Sequence, residues 1–460
     1  MTHAKLDQDL GKGNIGKELW SLAWPMMLSI FFYTLYNFVD AYWVSKLSAN
    51  AIAAVSISQI TMMLMLSLGI GITVGSGVLV SMNIGAKNKP EAERVLAQSF
   101  VLSAILGISF TTLALIFREQ FLTAAGAAGE IFAPAMEYYT IVSAGSILMF
   151  MLFTFMFAFN SQGDTATLTK LFAISTAINL ILDPLLILGH LGFPALGIAG
   201  AAYATLISQS VFIVIAFIAL INPKRHIRLH LSKLSFRWES VKKVLAIGFP
   251  AALTQVIMPI GLAALTYMAS LTFAEPGAVA FSLGFRLEFF AFLPAVGFGF
   301  GGMAMIGQSI GGGHLKRAQH ILKKAIMYGA FGAAGLGILA ALFAGQIIQA
   351  FQIDALAAEY SHSYLMIIAL FGYGFLAIMM ISATTFQAIG HSWPGFWIFV
   401  LRFGIITLPL SYLFTTVFGW PIESMWGAIL AGNIIAAGVG YSWINRKLKH
   451  MELKKVPVHA

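Results

Sequence analysis

The chain has 460 residues, of which 59% are hydrophobic and 10% are charged. Soluble domains carry about 25% charged residues, so this composition excludes a string of soluble domains and predicts a polytopic, all-α membrane protein. The sequence contains no cysteine, which excludes disulfides, thiol catalysis and cysteine-ligated metals. The net charge of +9 is no argument for nucleic-acid binding, because membrane proteins concentrate Lys and Arg on the cytoplasmic side.

Twelve apolar segments are each long enough to cross a bilayer, which takes roughly 20 apolar residues. They cover residues 17–44, 51–82, 94–117, 132–159, 166–189, 196–221, 244–272, 277–307, 323–350, 358–388, 396–418 and 424–444. With twelve spans, both termini lie on one side of the membrane. Of the 27 Lys and Arg residues, all but Lys46, Arg118, Arg286 and Arg402 fall on that side. The positive-inside rule therefore predicts that both termini are cytoplasmic.

The sequence contains an internal repeat. The segment GIGITVGSGVLVSMNIGAKNKPEAERVL, which starts at Gly69, is similar to GFGFGGMAMIGQSIGGGHLKRAQHIL, which starts at Gly297. Aligning Ile84 with Ile310 gives an offset of 226 residues (310 − 84). Three further pairs recur at this offset within one residue: Pro25 and Pro250, Gly163 and Gly390, Gly200 and Gly427. An offset of six spans keeps both halves in the same orientation, which predicts two parallel-repeat six-helix bundles related by an axis along the membrane normal.

The predicted organisation has five parts. Residues 1–16 form a cytoplasmic N-terminal segment, 17–221 an N-lobe of helices 1–6, 222–243 a basic cytoplasmic linker, 244–444 a C-lobe of helices 7–12, and 445–460 a basic cytoplasmic tail. The linker holds seven Lys and Arg residues and one Glu. We therefore expect it to be a charged segment close to anionic lipid.

An acidic residue lies inside the first span. Asp40 is near the end of the apolar run 19–44, which contains no Lys or Arg. A carboxylate at the centre of a bilayer costs about 2.5–3.5 kcal/mol, so an intramembrane acid indicates a functional site. Tyr33, Tyr36 and Asn37 precede Asp40 by seven, four and three residues, and all four share one helix face that we predict to contact the ion and the substrate. The alternative is a helix-end acid whose side chain reaches the membrane interface.

The fifth span carries a second acid. Asn179 and Asp183 are four residues apart and share one helix face. The position that matches Asp40 in the second half is Leu265 or Thr266, so these acids belong to the N-terminal half alone. If the two acids converge, each carboxyl group holds a proton more tightly, because it leaves water and lies near a second negative charge. Such a pair suits H⁺ coupling, and the same oxygens suit Na⁺, so both ions remain open.

The second half has its own intramembrane charges in span eight. Arg286 and Glu288 are two residues apart and so do not face each other. In one interpretation they contact substrate, with Glu288 opposite an organic cation. In the other they link helices as buried polar groups. Arg402 lies in span eleven, near its end, and we expect its side chain to reach the interface.

Six motifs follow one another along nearly the whole chain. They are NFVDAYWV around Asp40, GIGITVGSG and IGAKN within 69–88, NSQGD at 160–164, NLILDPLLI around Asp183, LGIAGAAYAT at 196–205, and IGGGHLKRA at 310–318. In this order they resemble the multidrug and toxic compound extrusion (MATE) family, in particular its DinF-like prokaryotic branch. The resemblance implies a V-shaped pair of bundles that exports organic cations in exchange for H⁺ or Na⁺.

The resemblance also implies roles for individual residues. It implies a coupling site at Asp40, Asn179 and Asp183, with Tyr138 and Thr205 as further members. Branches that couple through the C-lobe carry acids in helices seven and ten, whereas here neither span has an acid in its interior and Glu359 lies only at the entrance of span ten, which speaks against a C-lobe cation site. The bend of the first helix would fall at Pro25, where the missing backbone donor weakens the helix, so Pro25 is the predicted hinge.

Two other classes of protein fit less well. A flippase for lipid-linked saccharides needs a cavity rich in Arg and Lys, and only Arg286 and Arg402 are available for one in this sequence. An intramembrane enzyme needs paired catalytic groups, but cysteine is absent and His190 and His391 lie at loop edges. We predict a H⁺-coupled multidrug antiporter, with Na⁺ coupling as the alternative, and not an enzyme. It needs no cofactor, metal or nucleic-acid partner and works as a monomer in a prokaryotic plasma membrane.

Overall fold

The computed structural model describes residues 13–234 and 236–454. Most of the predicted N-terminal segment (1–12), the end of the predicted tail (455–460) and Ser235 of the linker lie outside the described residues. Within the described part of the chain all regular structure is helical and no β-strand occurs. The all-α prediction is confirmed.

Eight helices form the N-terminal half. They are α1 (Ile15–Ser45), α2 (Ala49–Gly85), α3 (Lys89–Ile116), α4 (Arg118–Ala124), α5 (Phe132–Ala144), α6 (Ser146–Ser161), α7 (Thr165–Leu188) and α8 (Ile198–Ile221). Asn88 and Asp164 begin α3 and α7 because their side chains accept hydrogen bonds from the first turn of each helix. A bend of 50° separates α5 and α6, which together make the fourth span.

Eight further helices form the C-terminal half. They are α9 (Trp238–Gly311), α10 (Leu315–Leu342), α11 (Ala344–Ala350), α12 (Ala355–Tyr364), α13 (Leu370–Ala388), α14 (Ser392–Val400), α15 (Leu408–Ser411) and α16 (Ile422–Lys454). Three π-helical segments interrupt spans ten and eleven: Leu365–Ala369, Leu401–Thr407 and Tyr412–Val417. Short π-helical insertions are frequent at functional sites.

The helix α9 contains two spans. Its 74 residues would extend roughly 110 Å at 1.5 Å per residue, far more than the ~30 Å hydrocarbon core of a bilayer. The backbone leaves the helical conformation at Phe273 and Ala274, and Ala274 has a φ of 54°. The seventh span therefore ends at this break and the eighth begins after it.

The number of spans follows from these bounds. Within the described residues, nine helical segments are individually long and apolar enough to cross a bilayer, and the bent pair α5–α6 is a tenth. That count includes α9 once although the helix covers two spans. It does not include α2, whose 37 residues are long enough to form a further span. Twelve spans result, as the sequence predicts.

The described residues divide into two compact units. Unit 1 consists of Leu28–Ile84 and Asn88–Ala252, and unit 2 of 13–27, Gly85–Lys87 and 253–454. The border within α1 falls two residues after Pro25, and the border within α9 falls two residues after Pro250. The unit borders therefore share the spacing of the two prolines (250 − 25 = 225). The lobe boundaries at 221 and 244 stay a prediction.

Repeat-related glycines allow close helix packing inside each unit. In unit 1, a Cβ atom on Gly75 of α2 would lie 2.3 Å from the carbonyl oxygen of Val244 in α9. In unit 2, a Cβ atom on Gly301 of α9 would lie 3.3 Å from atoms of Leu22 and Ala23 in α1. Small residues at such contacts let membrane helices approach each other closely. The beginning of α9 thus packs on α2, and the beginning of α1 packs on the second part of α9.

The linker is bound to unit 1 by ion pairs. Arg225 Nη2 donates a hydrogen bond of 2.6 Å to Asp164 Oδ2, and Lys233 Nζ donates one of 2.7 Å to Glu93 Oε2. His230 Nε2 lies 3.2 Å from the same oxygen of Glu93. Two apolar linker side chains are buried as well: Ile227 and Leu229. Part of the basic charge of the linker therefore neutralises acids of this unit, while its predicted contact with anionic lipid stays a prediction.

Candidate functional site

An apolar core in unit 1 joins seven helices, among them the four that carry the predicted site residues. Its buried members include one or more residues from each of these four helices: Val44 of α1, Tyr138 of α5, Ile187 of α7 and Ala201 of α8. Asp40, Asp183 and Thr205 each lie four residues, about one helical turn, from Val44, Ile187 and Ala201 respectively. The core therefore fixes the positions of these polar side chains relative to one another.

Asp40 and Asp183 are buried carboxylates within electrostatic range of each other. Oδ1 of Asp40 and Oδ2 of Asp183 have no hydrogen-bond partner among the described residues. Asn179 Nδ2 donates a hydrogen bond of 3.0 Å to Asp183 Oδ1. No Lys, Arg or His within the described part of the chain forms an ion pair with either carboxylate. Asp40 is 4% exposed, so the alternative of an interface acid does not hold.

Two buried tyrosines adjoin the carboxylates. Tyr36 of α1 and Tyr138 of α5 both lie within electrostatic range of Asp40 and Asp183. Thr205 of α8 lies beside the hydroxyl of Tyr36. The structure thus brings together six of the predicted residues, on α1, α5, α7 and α8. Their role in ion coupling stays a prediction.

Tyr33 and Asn37 lie beside this cluster and not inside it. Both are half-buried, and Asn37 Nδ2 donates a hydrogen bond of 2.7 Å to the carbonyl oxygen of Tyr33 on its own helix. The ring of Tyr33 packs against Phe153 and Phe172, with centroid distances of 6.5 and 6.2 Å. Their predicted contact with substrate stays a prediction.

A small cavity separates α1 from α7 and α8. Tyr33, Tyr36, Thr176 and Gln209 are among the residues that line it, and its volume is about 10 Å³. A cavity of this size holds about one water molecule. It is therefore far too small for an organic cation in this conformation.

Polar residues on α8 were missed by the sequence interpretation. Ser208 is buried and its hydroxyl has no hydrogen-bond partner in the described structure, while its carbonyl oxygen accepts a 3.0 Å hydrogen bond from Ser175 of α7. Gln209 lines the small cavity. The available signal was the spacing of Thr205, Ser208 and Gln209, which lie three and four residues apart on one face of a mostly apolar helix.

The two charged residues of span eight, Arg286 and Glu288, lie in different surroundings, as their spacing of two residues on a helix requires. Arg286 is exposed, whereas Glu288 is buried within unit 2 and accepts a 2.7 Å hydrogen bond from Tyr364 of α12. Arg402 Nη2 lies 3.5 Å from the other carboxylate oxygen of Glu288. This geometry favours the interpretation of Glu288 as a polar link between helices.

The expectation that Arg402 reaches the interface is wrong. Its side chain is 3% exposed, because it points to Glu288 and packs over the ring of Phe403 at 4.5 Å. Pairing with a buried acid gives the guanidinium a partner within unit 2, so it has no need to reach water. Pro25, the predicted hinge, lies inside the continuous helix α1 close to the unit border.

The atoms of this site that could bind an ion are all oxygens. The described residues contain no group of three or more His, Cys, Asp or Glu placed to hold a metal ion. The oxygens of Asp40, Asp183 and Asn179 are the groups that could hold a proton or a monovalent cation such as Na⁺. Buried, unpaired carboxylates inside membrane-spanning helices mark ion pathways in transporters. The fold and this site together define a polytopic membrane transporter.

Comparison with known proteins identifies the family. The chain belongs to the MatE family, whose model matches residues 25–185 and again residues 250–413. The two matches begin 225 residues apart (250 − 25), which confirms the internal repeat. The predicted membership of the MATE family is therefore confirmed.

Individual relatives agree with this assignment over 90% or more of their length. The FAD transporter of Shewanella oneidensis is 29% identical and aligns over 91% of both chains. The probable multidrug resistance protein NorM of Thermotoga maritima is 25% identical, over 91% of this chain and 90% of its own. A solved structure of a MOP superfamily transporter from Pyrococcus furiosus is 25% identical, has a TM-score of 0.91, and covers 98% of this chain and 99% of its own.

Proposed function

We propose that the protein is a H⁺-coupled antiporter that exports organic cations by alternating access, with Asp40 and Asp183 as its proton-exchanging pair. It does so as a monomer in a prokaryotic plasma membrane, with both termini in the cytoplasm. The observation that carries the proposal is the burial of two neighbouring carboxylates without a basic partner among the described residues. Multidrug names among the relatives support a drug-like substrate.

The coupling follows from the chemistry of the pair. Two carboxylates that share a site in low dielectric cannot both be ionised at low cost, so they bind protons as a unit. A cationic substrate stabilises the charged form of the pair and a proton stabilises the neutral form. The two ligands therefore oppose each other at one site, and that linkage is reciprocal. Exchange results when proton entry from outside releases the substrate there.

The tyrosines and Asn179 complete the site. Asn179 fixes one oxygen of Asp183, which leaves the other oxygen directed to the proton or ion. Tyr36 and Tyr138 supply hydroxyl groups close to both acids. The same oxygens would bind Na⁺, so Na⁺ antiport is the alternative that the experiment must separate.

Export of FAD is a second candidate function. It is favoured by one observation, the 29% identity to the FAD transporter of Shewanella oneidensis over 91% of both chains. FAD is anionic, so its export would need a basic contact, and Arg286 is an exposed basic residue of span eight. Release of FAD from loaded vesicles, and its loss in Arg286→Gln, distinguishes this substrate from a cationic dye.

The test uses Asp40→Asn in cells that accumulate a cationic dye. The variant keeps the size of the side chain and loses its charge, so we expect dye export to stop while the protein reaches the membrane in normal amounts. Glu119→Gln makes the same charge change at an exposed position and should export normally. Normal export by Asp40→Asn would refute the coupling role of Asp40.

A further inference from the structure

A second buried charged cluster lies in unit 2, whereas the proposed coupling pair belongs to unit 1. Glu288 on the second part of α9 and Arg402 in the π-helical segment Leu401–Thr407 have side chains that are 4% and 3% exposed. Their closest atoms, Arg402 Nη2 and Glu288 Oε1, are 3.5 Å apart. The hydroxyl of Tyr364 donates to Glu288 Oε2 at 2.7 Å, and Tyr373 of α13 lies within electrostatic range of Glu288. Both oxygens of Glu288 therefore have partners.

The internal repeat relates this cluster to the site in unit 1. Tyr364 follows Tyr138 by 226 residues (364 − 138), which is the repeat offset. Arg402 lies on span eleven, the repeat counterpart of span five, which carries Asp183. In each half the matching tyrosine adjoins a buried carboxylate. The difference is the counter-charge: the carboxylates near Tyr138 have no basic partner among the described residues, whereas the carboxylate near Tyr364 has a guanidinium.

We propose that Arg402 is a resident counter-cation for Glu288, so that unit 2 exchanges no ion during transport and the Asp40–Asp183 pair is the sole ion-exchanging site. The proposal rests on the function proposed above.

Because the counter-cation is an arginine, Glu288 stays paired with a positive charge throughout transport. A carboxylate in low dielectric must be protonated, bound to a cation or paired with a basic side chain. A guanidinium stays protonated throughout the physiological pH range, so Arg402 remains a cation whether or not protons are available from solution. Arg402 is held further by the ring of Phe403, at 4.5 Å from the guanidinium carbon. Glu288 thus keeps its charge balanced without an ion from solution.

The first experiment removes both charges at once. Glu288→Gln combined with Arg402→Gln leaves no uncompensated charge, and Glu288→Met combined with Arg402→Met is a second neutral pair in case the first does not insert. In reconstituted vesicles we expect each pair to keep the same ratio of ions to substrate, with substrate accumulation within about twofold of the unaltered protein. A ratio lowered by one ion, or accumulation reduced to downhill flux, would overturn the proposal.

The single change Arg402→Gln provides the opposite case. It leaves Glu288 without its counter-cation, so Glu288 must take up an ion from solution. Proton titration of the purified variant should then count one more bound proton per molecule than the neutral double variant. Equal counts for the single and double variants would show that Arg402 does not balance Glu288.

A third measurement leaves the cluster untouched. Addition of a cationic substrate to the purified, unaltered protein should release protons, and Asp40→Asn combined with Asp183→Asn should abolish the release completely. A residual proton per molecule would reveal a second exchanging site and overturn the proposal. No release from the unaltered protein would instead refute the proposed function, so the two failures are distinguishable.

Discussion

Asn179 donates a 3.0 Å hydrogen bond to Oδ1 of Asp183, one helical turn further along α7, and Oδ2 of the same carboxylate has no hydrogen-bond partner among the described residues. The carboxylate is thus fixed at one oxygen and available at the other. This geometry holds an acid in place while it gains and loses an ion. It also makes the amide of Asn179 a specific target for substitution.

Asn179→Leu keeps the approximate volume of the side chain and removes the hydrogen bond. A hydrogen bond to a charged group is worth about 1.5–3 kcal/mol, which corresponds to roughly a tenfold or larger change in an equilibrium. We expect the rate of ion-driven dye export to fall by about tenfold. Asn83→Leu is the matched comparison, because Asn83 of α2 donates its hydrogen bond to the carbonyl oxygen of Leu79 on its own helix, and it should lower the rate by less than about threefold. Equal effects would contradict the special position of Asn179.

The buried acid Glu93 should stabilise the attachment of the linker. Glu93→Gln removes the charge that pairs with Lys233 at 2.7 Å and His230 at 3.2 Å, and Glu93 is 3% exposed. Loss of a hydrogen bond to a buried charge should lower the free energy of unfolding by about 1–3 kcal/mol. A thermal unfolding scan in detergent checks this as a lower transition midpoint.

Glu91→Gln is the matched control for Glu93→Gln. Glu91 lies two residues away and pairs with Arg94, but both side chains are partly exposed to solvent. Exposed ion pairs on a helix contribute about 0.3–0.5 kcal/mol, so the midpoint should hardly change. A larger effect of Glu91→Gln than of Glu93→Gln would show that the linker contact does not stabilise the protein.

The close approach of α2 and α9 should make Gly75 intolerant of a side chain. The added Cβ of Gly75→Ala would lie 2.3 Å from the carbonyl oxygen of Val244, and a backbone atom cannot move aside easily. Overpacking of this kind costs about 1–3 kcal/mol, which a lower thermal midpoint would report. Gly438→Ala in α16 meets no atom within 4 Å and should be neutral or stabilising. Equal midpoints for the two variants would contradict the packing described here.

Substitution of Pro25 tests the predicted hinge in α1. Pro25→Ala restores a backbone donor inside the helix, and the kink penalty of an internal proline is about 3 kcal/mol, so the straight helix should be favoured. We expect slower dye export at unchanged expression. Pro134→Ala is the control, since Pro134 lies in the first turn of α5, where a backbone N–H has no partner within the helix in any case. Unaltered export by Pro25→Ala would remove the hinge role.

Sequence reasoning predicted the helical architecture well, and it singled out the two acids that the structure buries next to each other in unit 1. Hydropathy reports span number directly, and the spacing of Asn179 and Asp183 places them on one face of a helix. The repeat offset identified Asp40 as a feature of one half only. Helical spacing alone did not distinguish Tyr33 and Asn37 from Tyr36 and Asp40, because all four share one helix face. Only Tyr36 and Asp40 are buried, while the other two are half-buried beside the site.

Contacts between distant helices could not be predicted from spacing. Glu288 and Arg402 are 114 residues apart, and only packing within unit 2 reveals that they form a pair. The position of Arg402 near a span end favoured an interface location, but a buried acid provides an alternative partner. The linker is a similar case: its basic residues indicated its charge, whereas its ion pairs with Asp164 and Glu93 depend on the fold of unit 1.

The most direct test of H⁺ coupling at Asp40 and Asp183 is dye transport in reconstituted vesicles driven by a pH gradient in the complete absence of Na⁺. We predict that the unaltered protein moves the dye against its concentration gradient, and that Asp40→Asn and Asp183→Asn do not. Transport that requires a Na⁺ gradient and ignores the pH gradient would contradict proton coupling. Uphill transport by either variant would contradict the assignment of the pair.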